Sequence, residues 1–189
     1  MVLSIMVSGH RPGKLGGHTV NPIASRIRRE LHDIMAKARH RFASCVGITG
    51  MAQGVDQWFA EVCRGLSIPY IAYIPFPGQE RLWPSDAQQH YRQLVAEASE
   101  VRVGPSVRTT PDIIAALQRR NSEMVSGCHA AIAVWDGSSG GTADAVRKLT
   151  DLGRPLLRLD PHQPFDPATV DHWLNTLSEF ASSARRHLP

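Results

Sequence analysis

The sequence predicts an α/β fold in which a mostly parallel sheet carries helices on both faces. Short apolar runs alternate with longer amphipathic segments along the chain, and this alternation is typical of βαβ units. Most of the short runs end close to a glycine or a proline, as buried strands do. The length of 189 residues suits one domain with its own core. We therefore take residues 1–189 as a single domain.

Strands are predicted wherever three to six mostly apolar residues stand together, bounded by turn-forming residues. Six segments meet this description, and they are residues 3–8, 45–49, 70–74, 101–103, 130–135 and 155–159.

Helices are predicted where apolar residues recur at a spacing of three or four. In the first of them, Ile23, Ile27 and Leu31 open a stripe that continues to residue 38. Further helices are expected over residues 55–66, 85–95, 110–127 and 143–152. A C-terminal helix and tail occupy residues 160–189, and we expect residues 182–189 to fray.

Three helix starts carry recognisable capping signals. Ser85 with Gln88 predicts a capping box, and Thr110 is the predicted N-cap before a proline. Asp166, followed by Pro167, is the predicted cap of the last helix.

Composition excludes several classes of protein. No segment approaches the run of about 18 to 20 apolar residues that a membrane helix needs, and the N-terminus lacks the basic region of a signal peptide. We therefore expect no membrane contact, and the sparse cysteines described next favour a cytoplasmic protein. The three cysteines stand in apolar surroundings without CxxC spacing, which indicates reduced core residues. They are Cys45, Cys63 and Cys128.

The charge is moderately basic, at +4. Six basic residues gather in the first predicted helix, and they indicate either a nucleic-acid surface or, more often, a solvated helix face. Nucleic acid is therefore not expected as a partner. The histidines show no metal-ligand spacing, so we predict no metal and no cofactor. The basic group consists of Arg26, Arg28, Arg29, Lys37, Arg39 and Arg41.

Small residues follow three of the predicted strands, at the sheet edge where α/β proteins bind ligands. Gly140, Gly141 and Thr142 form the strongest candidate, because glycines at a helix start let backbone N–H groups approach a phosphate. The alternative is a simple turn in which Thr142 is an N-cap. No GxGxxG or GxxxxGK[ST] fingerprint is present. Ser139 matches the GxSxG pattern of a nucleophile, but suitably spaced acid and histidine partners do not follow it.

Asn121 interrupts an apolar helical stripe. A buried amide needs a hydrogen-bond partner, so Asn121 either holds a neighbouring loop or touches a ligand. The long loop at residues 76–84 is a candidate lid, because its Trp83 can either stack on a base or cover the edge of the core.

Together, these motifs resemble the YpsA-like branch of the SLOG superfamily. The resemblance rests on the segments 8–12, 15–17, 50–56, 120–124 and 133–142, and it spans roughly residues 4 to 150. It implies a Rossmann-like fold and a pocket for a nucleotide or nucleotide-derived ligand. Relatives in the superfamily include the Lonely Guy phosphoribohydrolases, DprA-type proteins and molybdenum-cofactor carriers. The Lonely Guy motif GGxGTxxE has its glutamate where this chain has Ala145.

The favoured hypothesis is a sensor or carrier that binds a nucleotide-like small molecule. The runner-up is an N-glycoside hydrolase that releases a base from a nucleoside monophosphate, with Asp56 or Asp136 as the catalytic carboxylate. A weaker alternative is a DprA-like DNA-binding protein. The resemblance also implies homodimerisation through helices. The residues expected to bind the ligand are Ser8, Gly9, His10, Arg11, Gly50, Gly54, Asn121, Gly137, Gly140, Gly141 and Thr142.

Overall fold

The protein, described here by a computed structural model over residues 2–186, contains one six-stranded sheet with helices on both faces. The strands are β1 (Leu3–Gly9), β2 (Cys45–Thr49), β3 (Tyr70–Ile74), β4 (Glu100–Val103), β5 (Ala130–Val134) and β6 (Leu156–Leu159). The helices are α1 (Pro22–Arg41), α2 (Val55–Gly65), α3 (Ser85–Glu97), α4 (Thr110–Gly127), α5 (Gly141–Asp151) and α6 (Pro167–Arg186). A short 3₁₀ helix, Pro12–Lys14, follows β1.

All strand pairs are parallel, in the order β4-β3-β2-β1-β5-β6. The chain first builds outward from β1 to β4 and then crosses to the other side of β1 with β5. The direction of winding therefore reverses between β1 and β5, and such a switch point opens a crevice at the carboxyl ends of the strands. The predicted Rossmann-like α/β fold is confirmed.

The core lies on both faces of the sheet because side chains alternate along each strand. From β1, Ile5 and Val7 pack into the larger cluster, which draws on α1, α2, α3 and α6. Met6 points the other way, into a smaller cluster with residues of α4 and α5. All three cysteines are buried and free, as predicted. Among residues 2–186, no helix has the length and apolar character that membrane crossing requires.

The N-caps of α3 and α4 each lie one residue before the predicted cap. The predicted capping box at Ser85 is wrong, because Pro84 is the N-cap and gives no side-chain cap. The Gln88 amide instead donates to the carbonyls of Arg81 and Trp83, at 3.2 and 2.9 Å. In α4 the N-cap is Thr109 rather than Thr110.

The C-terminal helix is longer than expected. Asp166 caps it as predicted, since its carboxylate accepts from the Ala168 N–H at 3.0 Å. The helix then continues to Arg186, so the tail expected from residue 182 is helical over 182–186. Residues 187–189 of that predicted tail lie outside the described part of the chain.

Candidate functional site

A cavity of about 320 Å³ opens at the switch point between β1 and β5. Its walls come from the loop after β1, the start of α2, the middle of α4 and the turn that leads into α5. Small-molecule sites of α/β proteins are commonly found at this position. The residues that line it are Ser8, Gly9, His10, Arg11, Lys14, Ala52, Asp56, Leu117, Arg120, Asn121, Ser138, Ser139, Gly140, Gly141 and Thr142.

The end of β1 is shaped by a close approach of α2. A Cβ atom added to Gly9 would lie 2.5 Å from the Cβ atom of Val55. Glycine at position 9 therefore lets the first turn of α2 pack directly against β1. This contact brings the start of α2 to one wall of the cavity, where it contributes Asp56.

The turn after β5 delivers the amino end of α5 to the cavity. Its N-cap, Gly140, has a φ of 144° and supplies no side-chain cap. The next two residues, Gly141 and the buried Thr142, also line the cavity. The first N–H groups of a helix lack partners within the helix and carry its positive dipole end. Without a capping side chain, these groups are free to bind an anion.

A polar network joins the turn after β5 to the loop after β1. The Nε2 atom of His10 lies 2.7 Å from Oδ1 of Asp136, and the same oxygen accepts from the Ser138 N–H at 2.8 Å and from its hydroxyl at 2.5 Å. The ammonium group of Lys14 donates to the Ser138 hydroxyl. The hydrogen bonds from Ser138, with a smaller contribution from His10, hold the pKa of Asp136 well below its usual value.

A buried ion pair occupies the wall below the β2 turn. A guanidinium nitrogen of Arg120 lies 3.6 Å from Oδ2 of Asp56 and donates to the Gly50 carbonyl at 2.6 Å. Burial raises the pKa of Asp56, and the charge of Arg120 together with the Ala52 N–H opposes that rise. The Arg120 Nε atom is buried without a partner among the described residues. A Cβ atom at position 50 would lie 1.7 Å from a guanidinium nitrogen of Arg120, so any side chain there would displace the guanidinium from this position.

Asn121 both holds a neighbouring segment and lines the cavity. Its amide nitrogen donates to the Gly141 carbonyl at 3.1 Å and lies 3.4 Å from Oδ2 of Asp144. Asp144 is also paired with Lys148 at 2.8 Å. Asn121 therefore ties α4 to the first turn of α5.

The structure brings together most of the sequence-predicted site residues. Nine of them line the cavity: Ser8, Gly9, His10, Arg11, Asp56, Asn121, Gly140, Gly141 and Thr142. Four others do not line it: Asp136, Gly50, Gly54 and Gly137. Asp136 is bonded to His10, and the Gly50 carbonyl is bonded to Arg120, and both of these partners line the cavity. Gly54 packs against the His10 carbonyl, where a Cβ atom would lie 2.7 Å from that oxygen.

Sequence reasoning missed two cations of the cavity. These are Lys14 and Arg120, neither of which was among the predicted ligand-binding residues. In the structure Arg119 is exposed and lies 3.9 Å from Glu123, whereas the Arg120 side chain is only 11% exposed in the wall. Nothing near Arg120 in the sequence signals this, because its carbonyl partner at Gly50 lies 70 residues away.

The loop at residues 76–84 is anchored to α3 rather than to the cavity. The rings of Trp83 and Tyr91 meet edge to face at 5.4 Å, and Gln79 donates to the Tyr91 hydroxyl at 3.1 Å. Trp83 packs against the larger core cluster. In this structure Trp83 covers the edge of the core, which is the second of the two roles predicted for it.

Solved structures share the fold at low sequence identity. DNA processing protein A from Helicobacter pylori is similar with a TM-score of 0.61 and 15% identity, over 94% of this chain and 80% of that chain. The molybdenum cofactor carrier protein MCP from Chlamydomonas reinhardtii is similar with a TM-score of 0.56 and 16% identity, over 96% of this chain and 99% of that chain.

Comparison at the level of sequence identifies the family. The chain is 31% identical to the uncharacterised SPbeta prophage-derived protein YoqJ of Bacillus subtilis over 165 residues, which is 78% of this chain and 93% of YoqJ. The model of the YspA SLOG family (YpsA) matches residues 5–151. With its parallel sheet and its cavity at the switch point, the chain belongs to the YspA SLOG family.

Proposed function

We propose that the protein binds a nucleotide or nucleotide-derived ligand in the cavity between β1 and β5, as a sensor or a carrier. The observation that carries the proposal is the uncapped amino end of α5, which meets cationic side chains from other elements in one cavity. These cations are Arg11 and Lys14 from the loop after β1 and Arg120 from α4.

Three features of the site fit a phosphate group. Backbone N–H groups at a helix start bind anions through their hydrogens and through the helix dipole. Gly140 and Gly141 leave that backbone open to close approach, since a Cβ atom at position 140 would meet no atom within 4 Å. Arg11 and Lys14 also line the cavity and add positive charge to it. This combination predicts that the ligand carries at least one phosphate.

The remaining walls fit the polar part of a nucleoside. The carboxyl group of Asp56 is a buried acceptor on the cavity wall and suits a ribose hydroxyl. Leu117 adds apolar surface beside it. A buried polar group on a pocket wall supplies specificity, because a ligand that leaves it unpaired binds less tightly.

Hydrolysis of an N-glycosidic bond is the second candidate, and Asp56 favours it. Burial raises the pKa of this carboxyl group, and perturbed carboxyl groups in clefts are candidates for acid–base catalysis. Ala145, at the position of the Lonely Guy glutamate, is buried and supplies no carboxylate. The carboxylate of its neighbour Asp144 is engaged by Lys148 and Arg147. A hydrolase would therefore use an acid outside that motif.

One experiment separates the two candidates. The purified protein is mixed with nucleosides and with nucleoside mono-, di- and triphosphates, its thermal shift is recorded, and the same wells are analysed for free base by chromatography. We expect stabilisation by phosphorylated ligands and not by nucleosides, with no base release. At one hundred times its Kd, a ligand stabilises the folded state by about 2.7 kcal/mol.

A pair of lysine variants locates the binding. Lys14→Ala should weaken the Kd of the best ligand about tenfold, because it removes one charged contact at the cavity. Lys37→Ala is the matched control, since Lys37 is paired with Asp171 on another surface. Base release that Asp56→Ala abolishes would establish the hydrolase instead. No shift and no release across the panel would contradict both candidates.

A further inference from the structure

Strand β4 leaves one edge of the sheet open. It pairs with β3 on one side, and no strand within residues 2–186 pairs with its other side. All four of its residues are exposed, including Val101 and Val103 at 40% and 54%. An exposed edge with apolar side chains is a template for pairing with another strand.

The backbone of β4 presents regular hydrogen-bonding groups at this edge. The Gly104 N–H points inward and donates to the Ile74 carbonyl at 2.8 Å. Because the direction of backbone groups alternates along a strand, the N–H and C=O groups of Val101 and Val103 point outward. When two such edges run antiparallel with the two Val101 residues opposed, those residues can exchange both bonds. Val103 then faces Ser99, whose N–H already donates to the Tyr70 carbonyl at 2.9 Å.

The side chains of β4 are self-complementary in one antiparallel register. A twofold axis through Val101 places Glu100 of one copy opposite Arg102 of the other, twice, on the same face of the sheet. An axis shifted by one residue in either direction would oppose two arginines or two glutamates instead. Opposite charges across strands stabilise a pair and like charges destabilise it, so charge selects the Val101 register.

Arg102 is ordered by contacts within its own chain before any partner binds. Its guanidinium donates to the Glu100 carboxylate at 2.6 Å and to the Tyr73 hydroxyl at 2.5 Å. It also lies over the Tyr73 ring, at 5.0 Å from the centroid. A side chain that is held before association loses less conformational entropy when a partner binds.

We propose that two copies of this chain pair edge to edge through β4, antiparallel about Val101, and extend the sheet across the dimer. This interface differs from the pairing through helices that the superfamily resemblance suggests. It lies three strand positions away from β1, where the cavity opens, so the proposal stands independently of the ligand. Because β4 is short, we expect a monomer–dimer equilibrium that depends on protein concentration and weakens with salt.

Sedimentation equilibrium from low to high micromolar protein tests this with a charge swap. Glu100→Arg places two arginines opposite each other and should weaken the dimer about tenfold. Adding Arg102→Glu in the same chain reverses both charges and should restore it. In the Val101→Lys variant the two lysines would face each other across the axis, and their like charges should prevent dimerisation. Asp33→Arg makes an equal charge change on exposed α1 and should leave the dimer unaffected. Thermal unfolding checks that each variant is folded.

The outcomes separate clearly. Restoration by the double variant supports both the interface and its register. A monomer at every concentration overturns the proposal, as does a dimer that resists Glu100→Arg and Val101→Lys, because the copies would then associate elsewhere. A folded double variant that stays as weak as Glu100→Arg rejects the register.

Discussion

Gly9 controls how closely α2 packs on β1. A methyl group at this position has no room, because it would overlap the side chain of Val55. The strain cannot be relieved by a rotamer change, since the nearest atom is the Val55 Cβ atom, whose position follows the backbone. Gly9 is therefore needed for the packing of α2 on β1 as well as for lining the cavity.

We predict that Gly9→Ala destabilises the protein by about 1–3 kcal/mol, the usual range for overpacking. Urea unfolding followed by circular dichroism measures the change. Gly13→Ala, in the 3₁₀ helix that follows β1, is the control, because a Cβ atom there meets nothing within 4 Å. Equal stability of the two variants would show that α2 adjusts freely against β1.

At the scale of elements, the starts of α3 and α4 differ in a way that their sequences do not reveal. Thr109 accepts from the Asp112 N–H at 3.3 Å, and the Asp112 carboxylate accepts from the Thr109 N–H at 2.9 Å. This is a complete capping box. The Ser85 hydroxyl makes no corresponding cap for α3.

Thr109→Ala should therefore cost about 1 kcal/mol of stability through loss of the cap. Ser85→Ala should change stability by less than about 0.5 kcal/mol, as surface substitutions commonly do. Chemical denaturation of both variants beside the unmodified protein provides the measurement. A larger loss for Ser85→Ala than for Thr109→Ala would contradict the capping assignment.

The accuracy of the sequence predictions follows the range of the interactions involved. Strand β2 matches its predicted bounds, because a short apolar run between turn residues is a local signal. The cap of α4 was predicted one residue late, since adjacent threonines offer the same hydroxyl and the backbone decides between them. The place of Arg120 was not predictable, because its partners Asp56 and Gly50 come from a distant part of the chain.

At the scale of the whole molecule, the basic residues of α1 mainly hold other elements in place. Arg26 donates to the Pro161 and Gln163 carbonyls, and Lys37 pairs with Asp171 of α6 at 2.8 Å. Five of the six basic residues make such contacts, and they are Arg26, Arg28, Lys37, Arg39 and Arg41. A phosphate backbone would have to compete with these internal partners.

We therefore expect only weak binding of single-stranded DNA, with an apparent Kd above about 10 µM near physiological salt. Fluorescence anisotropy of a labelled oligonucleotide at two salt concentrations measures it. Arg29 is the one residue of this group with no partner among the described residues, so Arg29→Ala tests whether α1 contributes to the binding. Submicromolar affinity that falls steeply with salt would instead support the DNA-binding alternative.

The contact between Gly50 and Arg120 means that the residue at one of these positions limits which residues fit at the other. The guanidinium of Arg120 occupies the space in which any other residue at position 50 would place its Cβ atom. A side chain gained at position 50 would displace the Arg120 guanidinium, and Asp56 would lose the counter-charge that now lies 3.6 Å away. Divergence in this wall of the cavity should therefore change positions 50, 56 and 120 together more often than singly.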